Sequence, residues 1–212
     1  MKTRYKLICK TALPALAIAS LLLSVPAKAD IILSAESVTG APSSTGTFDV
    51  LLTNTGPSSQ NIAAFNFELT TADTNITFTD VTTSTTTATY IFPVSFFGPD
   101  ITTPTLAGPQ TVEAGDVDAT FIGTDVAPGA TVGLGSVSYS IDPGALNGDI
   151  AEIDFSAYPQ TSLSDSGGFN VDFTPQSGTI TVQTSTVPEP SQGGLMIFVL
   201  AGSAILLQRR RT

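Results

Sequence analysis

Histidine and tryptophan are absent from this chain of 212 residues, and its single cysteine is Cys9. Ser-His-Asp and Cys-His nucleophilic sites cannot be built without histidine. Zinc, copper and haem centres lose their usual nitrogen and sulfur ligands for the same reason. The chemistry that remains is that of carboxylates, which serve as a pair of acids in glycoside hydrolysis or as oxygen ligands for calcium.

Positive charge is confined to the two ends of the chain. All eight Lys and Arg residues lie within residues 1–28 or 209–211, whereas all but one of the eighteen Asp and Glu residues lie within 30–187. Nucleic acids and anionic lipid surfaces are bound through Lys and Arg, so we expect no nucleic-acid partner for the acidic middle region. There is also no P-loop and no G-x-G-x-x-G motif that opens a helix, so no nucleotide cofactor is expected.

The N-terminal segment has the pattern of a secretory signal peptide. Basic residues precede an apolar stretch over 12–25, and Ala27 and Ala29 then form the A-x-A pattern that signal peptidase cleaves. We therefore expect residues 1–29 to form a signal helix in the precursor and the mature chain to begin at Asp30. An uncleaved N-terminal anchor is the alternative, and the cleavage pattern disfavours it.

A Pro-Glu-Pro motif precedes an apolar run near the C-terminus. The motif consists of Pro188, Glu189 and Pro190 and ends a linker that starts at residue 185. Its prolines disfavour helix and hold the backbone extended, a shape that a protease can grip at a membrane surface. Residues 191–208 would reach about 27 Å as a helix, close to the thickness of the hydrocarbon core of a bilayer. We therefore predict a transmembrane helix over this run.

Three arginines follow the apolar run, namely Arg209, Arg210 and Arg211 in the basic end 209–212. Arginine is costly to translocate, so these residues stop the segment and orient this end towards the cytoplasm. Everything before residue 191 then lies on the outer side of the membrane. A plain C-terminal anchor with a proline-rich hinge is the alternative that the pattern leaves open.

The whole tail, residues 185–212, resembles the PEP-CTERM sorting signal that exosortase-type membrane enzymes process in Gram-negative bacteria that make exopolysaccharide. The Pro-Glu-Pro motif, the apolar helix and the basic end match in the same order. The resemblance implies an exosortase-type enzyme and signal peptidase as processing partners. It also implies an exported, membrane-anchored precursor whose body is then held at the cell surface or released to the medium.

The region between the two ends, residues 30–184, alternates apolar and polar residues in short runs separated by Gly, Pro and Asn turn signals. Each run places its apolar members on one face of a strand. The runs are Phe48, Val50 and Leu52; Phe65, Phe67 and Leu69; Ile76 and Phe78; Val137, Tyr139 and Ile141; Ala151, Ile153 and Phe155; Phe169, Val171 and Phe173; and Ile180 and Val182. Strands with one apolar face need a second sheet to cover it, so the sequence predicts an all-β fold, a single antiparallel β-sandwich of the jelly-roll type.

Several of these runs resemble the strands of cohesin domains. Residues 47–54, 64–70 and 75–81 are similar to the opening strands, in which a Val- and Leu-rich strand precedes one of the type Ala-Phe-x-Phe-x-Leu. Residues 135–141 and 163–182 are similar to the closing strands. The resemblance implies a jelly-roll-like sandwich related to carbohydrate-binding modules. Cohesins of cellulosomes bind dockerins, but nothing in this sequence indicates such a partner.

Three aspartates, Asp116, Asp118 and Asp125, are candidate calcium ligands. Asp116 and Asp118 stand at alternate positions and would share one face of a strand, which suits a metal ion and equally suits a solvated sheet face. The spacing does not fit an EF-hand loop. Solubility accounts for acidic side chains on an exported body, so the solvated face is favoured and calcium stays an alternative.

Residues 96–112 read as a loop because Gly and Pro interrupt any regular ladder. The Phe96 and Phe97 pair within it is expected to cover one end of the core. An exposed apolar contact is the alternative for this pair.

Together these patterns indicate a non-enzymatic, exported surface or matrix protein that acts in adhesion or associates with extracellular polysaccharide. The first alternative is a carbohydrate-binding module proper, which would need two of the tyrosines Tyr90, Tyr139 and Tyr158 exposed and coplanar on one face. The second is a glycosidase, which would need a cleft with two carboxylates about 5 to 9.5 Å apart.

Overall fold

A computed structural model describes residues 30–98 and 108–184 of the chain. The predicted signal helix, the Pro-Glu-Pro motif, the apolar run and the three arginines lie outside the described residues, so these assignments stay predictions. Within the described ranges, no helix is long and apolar enough to cross a membrane.

Regular structure in the described residues consists of short strands. They are β1 (Ile31–Ala35), β2 (Val38–Gly40), β3 (Thr45–Asn54), β4 (Gln60–Ile62), β5 (Ala64–Thr70), β6 (Ile76–Thr82), β7 (Thr111–Val117), β8 (Thr124–Val126), β9 (Thr131–Ile141), β10 (Ile150–Phe155), β11 (Ser162–Ser164), β12 (Phe173–Gln176) and β13 (Gly178–Val182). The all-β prediction is confirmed for this part of the chain.

Two sheets pack face to face. One has the order β12-β1-β3-β9-β6, and the other has the order β11-β5-β10-β13-β2, in which β5 also pairs with β7. β4 and β8 pair antiparallel and form a separate two-stranded sheet. The alternating burial of β5 and β7 places every second side chain between the sheets, which is what the period of a strand predicts.

The strands are not all antiparallel, which corrects the prediction in two places. β1 pairs in parallel with β12, and β2 pairs in parallel with β13. Both parallel pairs join the start of the domain to its end. Such pairs cannot come from hairpins, which connect neighbouring antiparallel strands, so alternation along the sequence could not show them.

The core consists of the inward side chains of both sheets, and most predicted apolar runs contribute to it. Leu33, Leu52 and Phe67 are fully buried and belong to one continuous apolar cluster. One predicted run is wrong at its first member, because Phe169 follows a turn and has 72% of its surface exposed. The other two members, Val171 and Phe173, pack against the core, and Phe173 begins β12. The reason is the local turn, in which the Asp165 carboxylate accepts hydrogen bonds from the backbone of Gly167 and Phe169.

Candidate functional site

Three buried aspartates hold loops against the sandwich. Asp49, Asp116 and Asp118 are at most 4% exposed, although residues 30–187 contain no basic side chain that could pair with them. A buried carboxylate needs hydrogen-bond donors if it has no counter-charge. In each case the donors are backbone N–H groups and hydroxyl groups. Asp49, for example, accepts hydrogen bonds from the backbone of Thr86 at 2.6 Å and of Thr87 at 2.7 Å.

Asp116 fixes the segment that contains Phe96 and Phe97. Its Oδ1 accepts hydrogen bonds from the backbone N–H groups of Phe97 at 3.1 Å and Phe96 at 3.2 Å, and from its neighbour Val117 at 2.8 Å. Its Oδ2 accepts a hydrogen bond from the Tyr90 hydroxyl at 2.7 Å. Burial, followed by this hydrogen bond and the charge of Asp116, raises the pKa of Tyr90, so the hydroxyl keeps its proton and acts as a donor.

Asp118 fixes the neighbouring turn. Its Oδ2 accepts hydrogen bonds from the Thr120 hydroxyl at 2.5 Å and from the Gly123 backbone at 2.8 Å. The Thr120 hydroxyl is the main cause that lowers the pKa of Asp118; burial acts in the opposite direction, and backbone N–H groups of the turn lower it further. Within this turn Phe121 has a φ of 59°, a left-handed conformation that is uncommon for a bulky residue. The carboxylate therefore stabilises a backbone shape that Phe would not adopt unaided.

The two loops together present an exposed aromatic cluster, which we define as Phe96, Phe97 and Phe121. The ring centroids of Phe96 and Phe97 lie 5.0 Å apart, and those of Phe96 and Phe121 lie 6.1 Å apart. Between 56% and 63% of each residue's surface is exposed. The expectation that Phe96 and Phe97 cover the core is therefore wrong; both are exposed, as the alternative requires, and their use as a contact stays a prediction. Val94 and Ile122 extend the exposed apolar surface.

The candidate calcium ligands do not share one site. Asp116 and Asp118 are buried and hold loops, so the solvated-face interpretation is wrong for these two. Asp125 is exposed on β8 and accepts a hydrogen bond from the Asn61 amide at 2.9 Å. In residues 30–98 and 108–184, no group of three or more His, Cys, Asp or Glu side chains is arranged to hold a metal ion. Calcium binding gains no support from this geometry and stays a prediction.

The tyrosines do not form a coplanar sugar-binding face. Tyr139 is buried in the core, and Tyr90 is partly buried and engaged with Asp116. Tyr158 is 69% exposed and lies in the loop between β10 and β11. The condition that would have favoured a carbohydrate-binding module with two stacking tyrosines is therefore not met by these three residues.

A cavity of about 270 Å³, which we call the edge cavity, lies where β11 of one sheet faces β12 of the other. Its polar lining comes from Tyr158, Ser162, Asn170 and Asp172, and its apolar lining comes from Leu163, Val171 and Phe173. It has a single carboxylate, whereas a glycosidase needs two. Sequence reasoning missed this cavity, because its lining residues, which all lie within 158–173, form no motif.

Comparisons with known proteins agree with the fold. The sixth cohesin of scaffoldin B from Acetivibrio cellulolyticus, solved with a Cel5 dockerin, is 20% identical with a TM-score of 0.56, and the match covers 72% of this chain and 99% of that one. A cohesin from Clostridium thermocellum, solved in a type I cohesin-dockerin complex, is 12% identical with a TM-score of 0.53, covering 72% and 98%. A non-cellulosomal cohesin from the archaeon Archaeoglobus fulgidus is 13% identical with a TM-score of 0.53, covering 74% and 94%.

The likeness to these structures shows the fold, a cohesin-like β-sandwich, and confirms that part of the sequence prediction. No protein-family profile matches the chain. No curated protein sequence matches it either.

Proposed function

We propose that this chain is the precursor of an exported, non-enzymatic surface or matrix protein, with residues 30–184 as an adhesive binding domain. The signal pattern at the N-terminus and the sorting pattern at the C-terminus support export and processing by signal peptidase and an exosortase-type enzyme. The cohesin-like sandwich supports a binding role, because two of the similar structures are cohesins captured with dockerin proteins.

The exposed aromatic cluster is the observation that carries the adhesive role. Large apolar side chains that are rigidly presented on a surface mark contact sites, and aromatic residues dominate the energy of such contacts. The occupant we propose is a protein surface whose apolar centre is surrounded by Lys and Arg. Residues 30–98 and 108–184 contain Asp and Glu but no Lys, Arg or His. A basic rim on the partner would therefore complement the negative charge around the cluster.

Removing the cluster is expected to reduce strongly the retention of the protein at the cell surface or in the matrix. The variant Phe96→Ser, Phe97→Ser, Phe121→Ser should lower the retained fraction at least tenfold, because a truncated hot-spot ring costs roughly 2 kcal/mol or more of binding free energy. The readout is the ratio of protein in the surface and matrix fractions to protein in the medium.

The matched control replaces exposed apolar residues on another loop and strand, Leu146→Ser and Ile150→Ser, which are 70% and 64% exposed. It should keep the retained fraction within twofold of the wild type. Far-UV circular dichroism confirms that both variants are folded. Wild-type retention of the triple variant would show that the cluster is not the contact surface.

Processing is expected to leave a protein without its two ends. The intact mass of the native protein, recovered from surface and medium fractions, should correspond to a chain that begins at Asp30 and ends near Pro188 to Pro190, with any added group as extra mass. Intact mass is the suitable measurement because trypsin finds no Lys or Arg in residues 30–187. A species that retains Arg209 to Arg211 would mean a permanent membrane anchor and would contradict sorting through the tail.

A further inference from the structure

We propose that the edge cavity binds a short stretch of uncharged polysaccharide, with one sugar ring stacked on Tyr158. The inference rests on the proposed function, an exported surface or matrix protein, since only such a protein meets extracellular polysaccharide. It concerns a surface different from the aromatic cluster.

Hydrogen bonds of the loop around Tyr158 fix its backbone, whereas its own side chain makes none to the residues that the structure describes. The loop that carries it is fixed to β5 on both sides, because the Ser156 backbone donates a hydrogen bond to the Glu68 carbonyl at 2.9 Å and the Asn66 amide donates one to the Gln160 carbonyl at 2.6 Å. Thr161, at the end of this loop, is completely buried. The exposed ring is therefore presented by an ordered backbone, which reduces the entropy that binding would cost.

The lining segment 170–173 is equally well fixed. The turn before it is closed by the Asp165 carboxylate, and the Val171 backbone donates a hydrogen bond to the Leu163 carbonyl at 3.0 Å. Asn170 and Asp172 lie between this turn and β12. Both are exposed, and both line the cavity. Lining segments that backbone hydrogen bonds fix in this way make a preformed site, which is usual for small-ligand pockets.

The polar side chains of the edge cavity are free to bind a ligand. In the part of the chain that the structure describes, the side chains of Tyr158, Ser162, Asn170 and Asp172 have no hydrogen-bond partner. A hydroxyl and an amide can each donate and accept, whereas a carboxylate only accepts. Sugar hydroxyl groups do both, so they match this set. The apolar wall beneath fits the C–H face of a sugar ring, and an exposed aromatic ring adds a flat stacking surface.

Charge and size narrow the ligand class. Residues 30–187 contain no Lys, Arg or His, so their charge is negative throughout. Asp172 and the other acidic side chains therefore repel uronic acids, sulfated sugars and phosphate. The volume of about 270 Å³ is close to the lower end of the roughly 300 to 1,000 Å³ typical of small-molecule pockets. The cavity therefore suits a few rings of a neutral chain and not a long segment.

The test is equilibrium binding of the full chain, purified in a detergent with a phosphocholine headgroup so that no sugar detergent competes. The probes are oligosaccharides released from the producing organism's own exopolysaccharide, after anion exchange has separated the neutral fraction from the acidic one. The wild type should bind the neutral fraction saturably and at least tenfold more tightly than the acidic fraction. Tyr158→Ala and Asn170→Leu should each weaken binding at least tenfold, and Tyr158→Phe should restore most of what Tyr158→Ala loses.

Leu146→Ala is the matched control, because Leu146 is as exposed as Tyr158 and lies on another loop. It should bind like the wild type. Absence of saturable binding to the neutral fraction, or binding that Tyr158→Ala leaves unchanged in a folded protein, would overturn the proposal. Intact mass and surface retention report on the proposed function separately, so a processed and retained protein that binds no sugar would refute the sugar site alone.

Discussion

Replacing Asp116 with alanine is expected to lower the free energy of unfolding by about 4 kcal/mol, because a buried donor that loses its acceptor costs roughly 1 to 3 kcal/mol. Three donors lose their acceptor in this variant: the Tyr90 hydroxyl and the backbone N–H groups of Phe97 and Val117. The Phe96 N–H keeps an acceptor, since it also donates to the Val117 carbonyl at 3.0 Å. Water that reaches the backbone of the exposed Phe97 recovers part of the loss, which keeps the sum below three full penalties. The measurement is urea unfolding followed by far-UV circular dichroism.

Asp116→Asn tests whether the shape or the charge of the carboxylate matters. The amide keeps one accepting oxygen but directs an NH₂ group at other donors, so about half of the loss should remain. Asp125→Ala is the control, because Asp125 is exposed and should change the unfolding free energy by less than about 0.5 kcal/mol. If Asp116→Ala were as mild as this control, the aspartate would not be what holds the aromatic cluster in position.

Phe67→Ala is expected to cost about 3 to 5 kcal/mol of unfolding free energy, the range for a buried phenylalanine that leaves a cavity. Phe67 lies on β5 with no exposed surface, and its ring stacks on that of Phe65 at a centroid distance of 5.9 Å. Phe65 in turn stacks on Phe92 at 5.7 Å, so the substitution loosens a connected set of rings. The midpoint of urea unfolding at an unchanged slope gives the effect.

Phe67→Leu should cost about 1 to 2 kcal/mol, since it removes less volume and keeps an apolar side chain. Phe169→Ala serves as the exposed control and should be nearly neutral, because 72% of that residue is in contact with solvent. A small loss for Phe67→Ala, near that of Phe169→Ala, would contradict a tightly packed core at β5.

The sequence alone predicts the strands of the sandwich wherever apolar and polar residues alternate without interruption. Phe48, Val50 and Leu52 are all buried on β3, as their spacing predicts. The pattern fails at Phe169, where the Asp165 turn takes the place of strand. It also gives no sign of the parallel pairing of β1 with β12, because parallel partners come from distant parts of the chain and leave no local signal.

The acids show why the candidate sites were harder to predict. Alternation placed Asp116 on one face of a strand correctly, but it could not say that this face points inward with Val112 and Ala114. A carboxylate in that position is read as solvated or metal-binding unless its donors are known. Those donors are backbone groups of Phe96 and Phe97, whose positions depend on tertiary contacts. The aromatic cluster was missed for the same reason, since it combines two loops that only the fold brings together. The edge cavity is lined by one stretch, residues 158–173, but its shape also depends on how that stretch folds.

The place of β13 in its sheet has a mechanical consequence. If the body is tethered through its C-terminal end, tension enters the domain at this last strand. β13 is bonded on one side to β10 and on the other side, in parallel, to β2 near the start of the domain. Force along such a strand loads both ladders in shear, so many bonds must yield at once, whereas a strand at a sheet edge can be peeled off bond by bond. The domain is thereby built to resist pulling from the end at which it would be tethered.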